Sequence, residues 1–239
     1  MDVLVLVVLG LGCLALLGAG VLDAVRTFRA RGAPPPAPVG AGPRRLVLVR
    51  HGETEWSRAG RHTGHTDVPL TDAGRDAARG LAPALAGCTF DAVLVSPFVR
   101  ARETLALIGH GGDATVVDDL REWDYGDDEG RTTAEIRVER PGWDVWEGGP
   151  AGGETIDEVS ARAARVLRRV ATVDGDVLVV AHGHVLRILA ARWLGLDPQA
   201  GRLLALDPAT MSVLDHEREQ RVLRSWNVSP RPAPGGGGR

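Results

Sequence analysis

Residues 45–56 read RLVLVRHGETEW, and the apolar run Leu46–Val49 inside this stretch decides the fold class. Four consecutive apolar residues that stop abruptly at polar ones suit a short strand that is covered on both faces. Two later runs, Ala92–Val95 and Val177–Val180, have the same character and also stop at polar residues. The sequence therefore predicts three buried strands.

Helical periodicity separates and follows these strands. Apolar residues recur at the spacing of an amphipathic helix in four stretches, which are Thr71–Leu85, Val99–Ile108, Thr155–Val173 and His184–Leu194. Thr71 stands where an N-cap is expected, and the acidic Asp72 follows it. The segments Ser212–Leu214 and Val222–Trp226 flank a polar turn and predict an antiparallel hairpin. Alternating strands and helices predict an α/β fold, namely a three-layer α/β/α sandwich with a mainly parallel sheet.

The N-terminal region differs in composition from the rest of the chain. No charged residue lies between Val3 and Leu22, and about 20 apolar residues suffice for a helix to cross a bilayer. We therefore predict a transmembrane helix over residues 3–22. The arginines that follow it place the bulk of the chain in the cytoplasm by the positive-inside rule. A chain that is soluble in the cytoplasm, with a start-site artefact or a buried helix at its N-terminus, is the alternative.

The remaining boundaries follow from proline and glycine content. Residues 23–43 are rich in both and predict an extended linker. Residues 44–229 are the predicted folded domain, and residues 230–239 (PRPAPGGGGR) are a predicted disordered tail.

Composition excludes several classes of function. The 239 residues carry 28 basic and 31 acidic side chains, so the net charge of −3 does not favour a nucleic-acid partner. Every basic side chain apart from histidine is an arginine. The absence of lysine rules out a P-loop lysine and a Schiff base. Two cysteines, Cys13 and Cys88, provide neither a disulfide framework nor a thiolate zinc cluster.

The polar ends of the three predicted strands share one chemistry. They carry Arg50 and His51, then Ser96 followed by Arg100, and finally His182-Gly183-His184. Ligands bind at the carboxyl ends of strands in open α/β sheets, so these groups should converge. Guanidinium groups match phosphate oxygens, and nearby positive charge lowers the pKa of histidine and keeps it a neutral nucleophile. Zinc is the alternative for the histidine pair, but paired arginines repel a divalent cation, so we expect no metal.

Four segments resemble the motifs of the histidine phosphatase superfamily, in its phosphoglycerate mutase-like branch. The matching residues are 50–56 with 60–71, 96–104, 120–130 and 181–184, in the order that the family has them. The resemblance is greatest to short members described as broad-specificity acid phosphatases and as sedoheptulose-1,7-bisphosphatases. It implies a phosphoglycerate mutase-like fold that needs no cofactor, because arginine replaces a metal as the charge clamp.

The resemblance also implies residue roles. His51 would attack phosphorus and become a phosphohistidine, while Arg50, Arg100 and His182 would hold the phosphoryl oxygens. Glu122 would act as general acid and then as general base. The predicted substrate-binding residues are Arg50, Ser57, Thr63, Gly64, Arg100, Glu122, His182, Gly183 and His184. Further candidates at the mouth of the site are Arg58, Arg61, His62, His65, Arg121, Trp123, Trp146 and Arg187.

Two positions depart from the family pattern, and the sequence around Glu122 allows a second interpretation of that residue. Ser57 stands where many relatives have asparagine, and a turn or helix-cap role is its alternative. Asp128 replaces a common aromatic, which puts the pocket wall in doubt. A solvated acid in an acidic loop is the alternative for Glu122, because five aspartates lie nearby in the sequence; they are Asp118, Asp119, Asp124, Asp127 and Asp128.

The predicted function is hydrolysis of small organic phosphates, with sugar-type phosphates as the expected substrates. Transfer of the phosphoglycerate mutase type is one alternative, but the region at 135–143 is short and lacks an additional cationic insertion. A non-catalytic, membrane-tethered binder of phosphorylated ligands is the other. The retention of all five catalytic positions disfavours it. The sequence gives no indication of oligomeric state.

Overall fold

The computed structural model describes residues 45–229, which form a six-stranded sheet flanked by helices. The strands are β1 (Leu46–Arg50), β2 (Ala92–Val95), β3 (Thr115–Val116), β4 (Val177–Ala181), β5 (Met211–Glu217) and β6 (Gln220–Val228). The α-helices are α1 (Glu55–Arg58), α2 (Asp72–Leu85), α3 (Val99–Leu107), α4 (Thr133–Glu139), α5 (Ile156–Val170) and α6 (Gly183–Trp193). Short 3₁₀ turns cover Asp118–Leu120, Gly126–Asp128 and Pro198–Leu203.

The strand order is β3-β2-β4-β1-β5-β6. Strands β1, β2, β3 and β4 run parallel to one another. Strands β5 and β6 form an antiparallel hairpin that is added to β1 at one side. The predicted mainly parallel sheet with a late hairpin is therefore confirmed.

Alternate side chains of the central strands face opposite helical layers. Leu46 and Leu48 of β1 pack in one apolar core with α5 and α6. Val47 and Val49 pack in a second core with α2 and α3. Because helices cover both faces of the sheet, its central strands are apolar as far as their carboxyl ends, where Arg50 closes β1. The predicted three-layer α/β/α sandwich is confirmed.

The transmembrane helix predicted over residues 3–22 lies outside the described residues, as do the linker at 23–43, residue 44 and the tail at 230–239. In residues 45–229, no helix is long and apolar enough to cross a bilayer. The longest of them, α5, has 15 residues and is about 22 Å long, whereas a span needs about 20 residues. We therefore correct the fold assignment to the α/β sandwich that residues 45–229 form, and we withdraw the predicted membrane attachment and membrane location.

Helix starts follow the capping signals in the sequence. Thr71 is the N-cap of α2, as predicted, and its Oγ1 accepts a hydrogen bond of 2.9 Å from the N–H of Gly74. Thr155 and Glu158 form a capping box at the start of α5. Helix α5 ends at Val170, three residues before the predicted end at Val173. The sheet order places β4 between β1 and β2, so the carboxyl ends of the three motif-bearing strands are adjacent.

Candidate active site

Histidines from two neighbouring strand ends meet at the carboxyl edge of the sheet. His51 follows β1 and His182 follows β4, and their ring centroids lie 5.0 Å apart. The N–H of His51 donates to the carbonyl of Ala181 at 2.9 Å, which extends the β1–β4 ladder to the first of these histidines. Gly52 allows α2 to approach, because a Cβ there would lie 2.5 Å from the carbonyl oxygen of Gly74. The predicted convergence of these strand ends is present in the structure.

The hydrogen bonding of His51 defines its tautomer. Nδ1 of His51 lies 2.7 Å from the carbonyl oxygen of Gly52, and a carbonyl can only accept, so Nδ1 carries the proton. Nε2 of the neutral ring therefore keeps its lone pair. Burial, and then the charges of Arg50 and Arg100, hold the pKa of His51 well below its ordinary value of 6.5. His51 is thus a buried, neutral imidazole among arginines.

His182 has both ring nitrogens engaged with protein groups. Nδ1 accepts a hydrogen bond from Nε of Arg100 at 3.1 Å, because a guanidinium can only donate. Nε2 therefore carries the proton and donates to Oγ of Ser96 at 2.6 Å. Burial, Arg100 and His51 lower the pKa of His182 well below 6.5. In this arrangement His182 holds Arg100 beside His51, and direct contact with a phosphoryl oxygen would require one of these bonds to be exchanged.

The two predicted arginines differ in how many of their N–H donors have hydrogen-bond partners. Arg100 is completely buried and donates through its Nη atoms to the carbonyls of Thr66, Gly64 and Thr63 at 3.0, 3.0 and 3.4 Å. Arg50 donates through Nη1 to the carbonyl of Leu206. Its Nε is buried and has no hydrogen-bond partner within residues 45–229. A buried donor left unpaired indicates a position that an anion would fill.

Glu122 is fixed by backbone groups on two sides. Its Oε1 accepts the N–H groups of Trp123 and Val185 at 3.0 and 2.9 Å, and its Oε2 accepts that of His184 at 3.0 Å. The last two belong to the first turn of α6, where the helix dipole favours a negative group. Of the aspartates predicted to crowd it, Asp119 pairs with Arg165 and Asp128 with Arg140, so their charges are partly neutralised by other groups.

A cavity of about 180 Å³ opens over these groups. It is lined by Arg50, His51, Ser57, Gly60, Arg61, His62, Thr63, Glu122, Tyr125, Gly183, His184, Arg187 and Leu206. Arg100 and His182 do not line this cavity. Among the candidates for its mouth, Arg58, His65, Arg121, Trp123 and Trp146 also do not line it. Trp123 and Trp146 are buried and pack around the ring of His184, with centroids 5.9 and 5.1 Å away.

Gly64 serves the architecture of the site and lies outside the cavity. Its N–H donates to Oε1 of Glu129 at 3.1 Å, and a Cβ would lie 2.6 Å from Oε2 of the same side chain and 2.7 Å from the carbonyl of Trp123. The carbonyl of Gly64 accepts from Arg100 at 3.0 Å. Gly64 therefore helps to place Arg100, and its predicted role in substrate binding would have to act through that side chain.

The two departures from the family pattern have structural explanations. Ser57 lines the cavity, but its Oγ also accepts from the N–H of Thr54 at 2.9 Å in a capping box, as in the capping alternative. Asp128 is buried, pairs with Arg140 and accepts from the N–H of Ala151 at 3.1 Å. It therefore ties two loops together and forms no part of the cavity wall.

Three wall residues were missed by the sequence-based prediction, namely Gly60, Tyr125 and Leu206. The hydroxyl of Tyr125 lies 2.7 Å from Nδ1 of His184, and burial, with the charge of Glu122, raises the pKa of the phenol well above 10. Tyr125 lies inside the sequence motif around Glu122, so that motif could have identified it as a residue of the site. Leu206, whose carbonyl accepts from Arg50, lies in a loop without any such signal.

The fold and the site together define the class of protein. The α/β sandwich presents a neutral buried histidine, flanking arginines and a cavity-facing carboxylate at the carboxyl edge of its sheet, where open α/β sheets bind ligands. Residues 46–229 match the histidine phosphatase superfamily (branch 1). The chain belongs to this superfamily, which confirms the resemblance seen in its motifs, and it is a hydrolase that acts on phosphate monoesters.

Similar proteins agree with this assignment. An acid phosphatase of Mycobacterium tuberculosis (strain ATCC 25618 / H37Rv) is 39% identical over 194 residues, which are 80% of this chain and 95% of that protein. A sedoheptulose 1,7-bisphosphatase of Saccharomyces cerevisiae (strain ATCC 204508 / S288c) is 36% identical over 188 residues, 65% of this chain and 69% of that protein. The solved structure of an open reading frame from Mycobacterium tuberculosis has a TM-score of 0.73 and 38% identity, covering 78% of this chain and 98% of that one.

The buried histidines lead to a prediction about stability in acid. His51 and His182 have pKa values well below 6.5 in the folded protein and near 6.5 when unfolded. Below pH 6.5 the unfolded chain therefore binds more protons, and the stability present above that pH is lost as the pH falls. The pKa of His184 is likewise held well below 6.5, by burial and then by the charge of Arg187. Each of the three groups contributes about 1.4 kcal/mol per pH unit, so we expect the free energy of unfolding to fall by about 4 kcal/mol per unit below pH 6.5.

Urea denaturation between pH 7.5 and 5.5, followed by circular dichroism, measures this slope. His51→Asn should reduce the slope by about a third, because one of the three buried titrations is removed. His110→Asn makes the same exchange at a histidine that does not line the cavity and is the control for the substitution itself. A free energy of unfolding that stays constant over this pH range would contradict the prediction.

Proposed function

We propose that this enzyme hydrolyses small organic phosphate monoesters, in particular sugar-type phosphates, through a phosphohistidine on His51 with Glu122 as general acid and base. The observation that carries the proposal is the tautomer of His51. Its Nδ1 proton is held by the carbonyl of Gly52, which leaves the Nε2 lone pair free on a ring that burial and two arginines keep neutral. A neutral imidazole with a fixed tautomer is a prepared nucleophile.

In the first half-reaction, Nε2 of His51 attacks phosphorus. A P–N bond forms and the P–O bond to the ester group breaks, while the carboxyl of Glu122 gives its proton to the leaving oxygen. In the second half-reaction, a water oxygen attacks phosphorus and its proton goes to the Glu122 carboxylate. The P–N bond then breaks, its electron pair returns to Nε2, and inorganic phosphate is released.

Arginines stabilise the charge on the phosphoryl oxygens during both steps. Arg50 has an unpaired, buried Nε at the cavity, and an oxyanion would satisfy it. The charge of Arg100 acts beside His51 and lowers the pKa of that ring. Arginine suits this position because its charge is permanent and its donors are fixed in one plane.

The cavity supports a small substrate with polar substituents. Its volume of about 180 Å³ is below the roughly 300–1,000 Å³ that encloses a drug-sized ligand. It therefore suits a phosphoryl group and the first atoms of the ester. Hydroxyl, imidazole and guanidinium groups from Ser57, Tyr125, His184, Arg61 and Arg187 line it. Such groups suit the hydroxyls of a sugar phosphate, and the acid phosphatase and sedoheptulose 1,7-bisphosphatase relatives support this class.

Mutase-type transfer is less well supported by the segment that follows the acid motif. A phosphoglycerate substrate carries a carboxylate as well as a phosphate and would need additional free cations. The arginines of this segment have other partners, because Arg137 donates to the carbonyl of Trp143 at 2.8 Å and Arg140 pairs with Asp128. Hydrolysis is therefore the favoured reaction.

Phosphate release from a panel of phosphorylated sugars, p-nitrophenyl phosphate and 3-phosphoglycerate tests the proposal. We expect release of inorganic phosphate without any bisphosphoglycerate primer, and the highest kcat/KM for sugar-type phosphates. Interconversion of 2- and 3-phosphoglycerate that needs the primer, with no phosphate released, would favour the mutase. Tight binding of these esters without turnover would favour the non-catalytic binder.

A further inference from the structure

The segment that carries Glu122 is held, on the side away from the cavity, by an ion pair between a buried arginine and a part-buried glutamate that the proposed mechanism does not use. Arg162 lies on α5 and is 5% exposed. Its Nε and Nη2 donate to Oε1 and Oε2 of Glu154, both at 2.7 Å, in a two-pronged contact. Neither side chain lines the cavity, so neither is expected to touch a substrate there. A buried charge is costly unless it is paired, which raises the question of what this pair does.

The remaining donors of Arg162 bind the backbone of the acid-bearing segment. Nη1 donates to the carbonyls of Asp119 and Arg121 at 2.8 and 2.9 Å, and Nη2 donates to that of Glu122 at 3.4 Å. With the two bonds to Glu154, these contacts use all five N–H donors of the guanidinium. Lysine has three donors on a single atom and could not make the same set of contacts.

Glu154 holds the other side of the same segment. Its Oε2 accepts the N–H of Asp124 at 3.1 Å, its carbonyl accepts the indole N–H of Trp123 at 2.7 Å, and its own N–H donates to the carbonyl of Asp124 at 3.0 Å. Arg162 and Glu154 therefore fix the backbone on both sides of Glu122. The carboxylate of Glu122 is bonded in turn to the N–H of Trp123, so its position depends on this backbone.

We propose that Arg162, together with Glu154, is a positioning residue that sets where the Glu122 carboxyl lies relative to the leaving oxygen. This inference rests on the proposed function, in which Glu122 protonates that oxygen. A displacement of about 1 Å in such a group can cost about 10²-fold in rate. The loss should depend on the ester, because an alkoxide needs a proton to leave whereas nitrophenolate is a good leaving group without one.

Arg162→Lys and Glu154→Gln, each assayed with glycerol 1-phosphate and p-nitrophenyl phosphate, test the proposal. We expect kcat/KM, which reports the step in which the ester group leaves and not the later attack of water, to fall by about 10- to 100-fold for the alkyl ester and by less than about threefold for the aryl ester. Arg165→Lys is the matched control. Arg165 lies on the same helix and binds the same segment, but it is exposed, and its hydrogen bonds within residues 45–229 go to the side chain of Asp119 and not to the backbone. It should leave the ratio of the two rates unchanged.

Glu122→Gln separates failure of this inference from failure of the proposed function. If Glu122 is the acid, this variant loses alkyl ester activity selectively, and adding Arg162→Lys to it changes the ratio no further, because both changes act on one step. An Arg162→Lys variant that slows both esters equally, while Glu122→Gln remains selective, overturns the positioning role alone. A Glu122→Gln variant that slows the alkyl and the aryl ester equally overturns the proposed role of Glu122 as the general acid. Thermal unfolding accompanies each assay, and Glu154→Gln reports the same ratio if Arg162→Lys does not fold.

Discussion

His51→Ala is expected to lower kcat for phosphate release by at least about 10⁴-fold, because the residue supplies the atom that bonds to phosphorus. Among residues 45–229, the neighbouring imidazole is not free to take over this role. His182 is the nearest imidazole, 5.0 Å away between ring centroids, and both of its nitrogens are bonded to Arg100 and Ser96. The remaining activity should come from binding and charge stabilisation alone.

Steady-state phosphate release from p-nitrophenyl phosphate measures this loss, and a quenched-flow experiment with a labelled substrate measures the intermediate. The wild-type enzyme should retain label that survives alkali and is lost in acid, as a P–N bond requires, and His51→Ala should retain none. His110→Ala is the control, since His110 packs against Phe90 away from the cavity and should behave as the wild type does. Equal rates for His51→Ala and the wild type, or label retained by His51→Ala, would remove the nucleophile assignment.

The central sheet could be predicted from the sequence because its signal is local. Strands β1, β2 and β4 are apolar runs that end at polar residues, and the observed strands lie within one residue of the predicted ones. Strand β3 was missed, since Thr115 and Val116 are two exposed residues that become a strand only by pairing with β2. Such pairing depends on tertiary structure and leaves little mark on two residues of sequence.

For the site, motifs identified the residues but could not identify their partners. Five separated positions were predicted to converge, and the structure brings Arg50, His51 and Glu122 to one cavity. The engagement of both His182 nitrogens depends on where Arg100 and Ser96 lie in three dimensions. The pairing of Asp128 with Arg140 likewise joins a 3₁₀ turn to the end of α4. Hydrogen-bond partners of this kind are set by packing, so residue types alone do not reveal them.

Arg100→Met is expected to lower kcat/KM by about 10³-fold and the free energy of unfolding by about 3 kcal/mol. The change removes a charge next to His51, and it leaves Nδ1 of His182 and the carbonyls of Gly64 and Thr66 without their buried donor. The kcat/KM and the free energy of unfolding of Arg100→Lys should lie between those of Arg100→Met and the wild type, because lysine restores the charge without the planar set of donors.

The pH profile of kcat/KM separates the electrostatic role of Arg100 from its structural one. The charge of Arg100 lowers the pKa of His51, so its removal raises that pKa. Protonation of the nucleophile then begins at a higher pH, and the acid limb of the profile should move upward in Arg100→Met but not in Arg100→Lys. Arg102→Met, an exposed change on the same helix, should move neither the limb nor the stability. If Arg100→Met is destabilised but its acid limb does not move, Arg100 contributes to the fold alone. Only a charge that acts on His51 would couple the loss of Arg100 to the titration of the nucleophile.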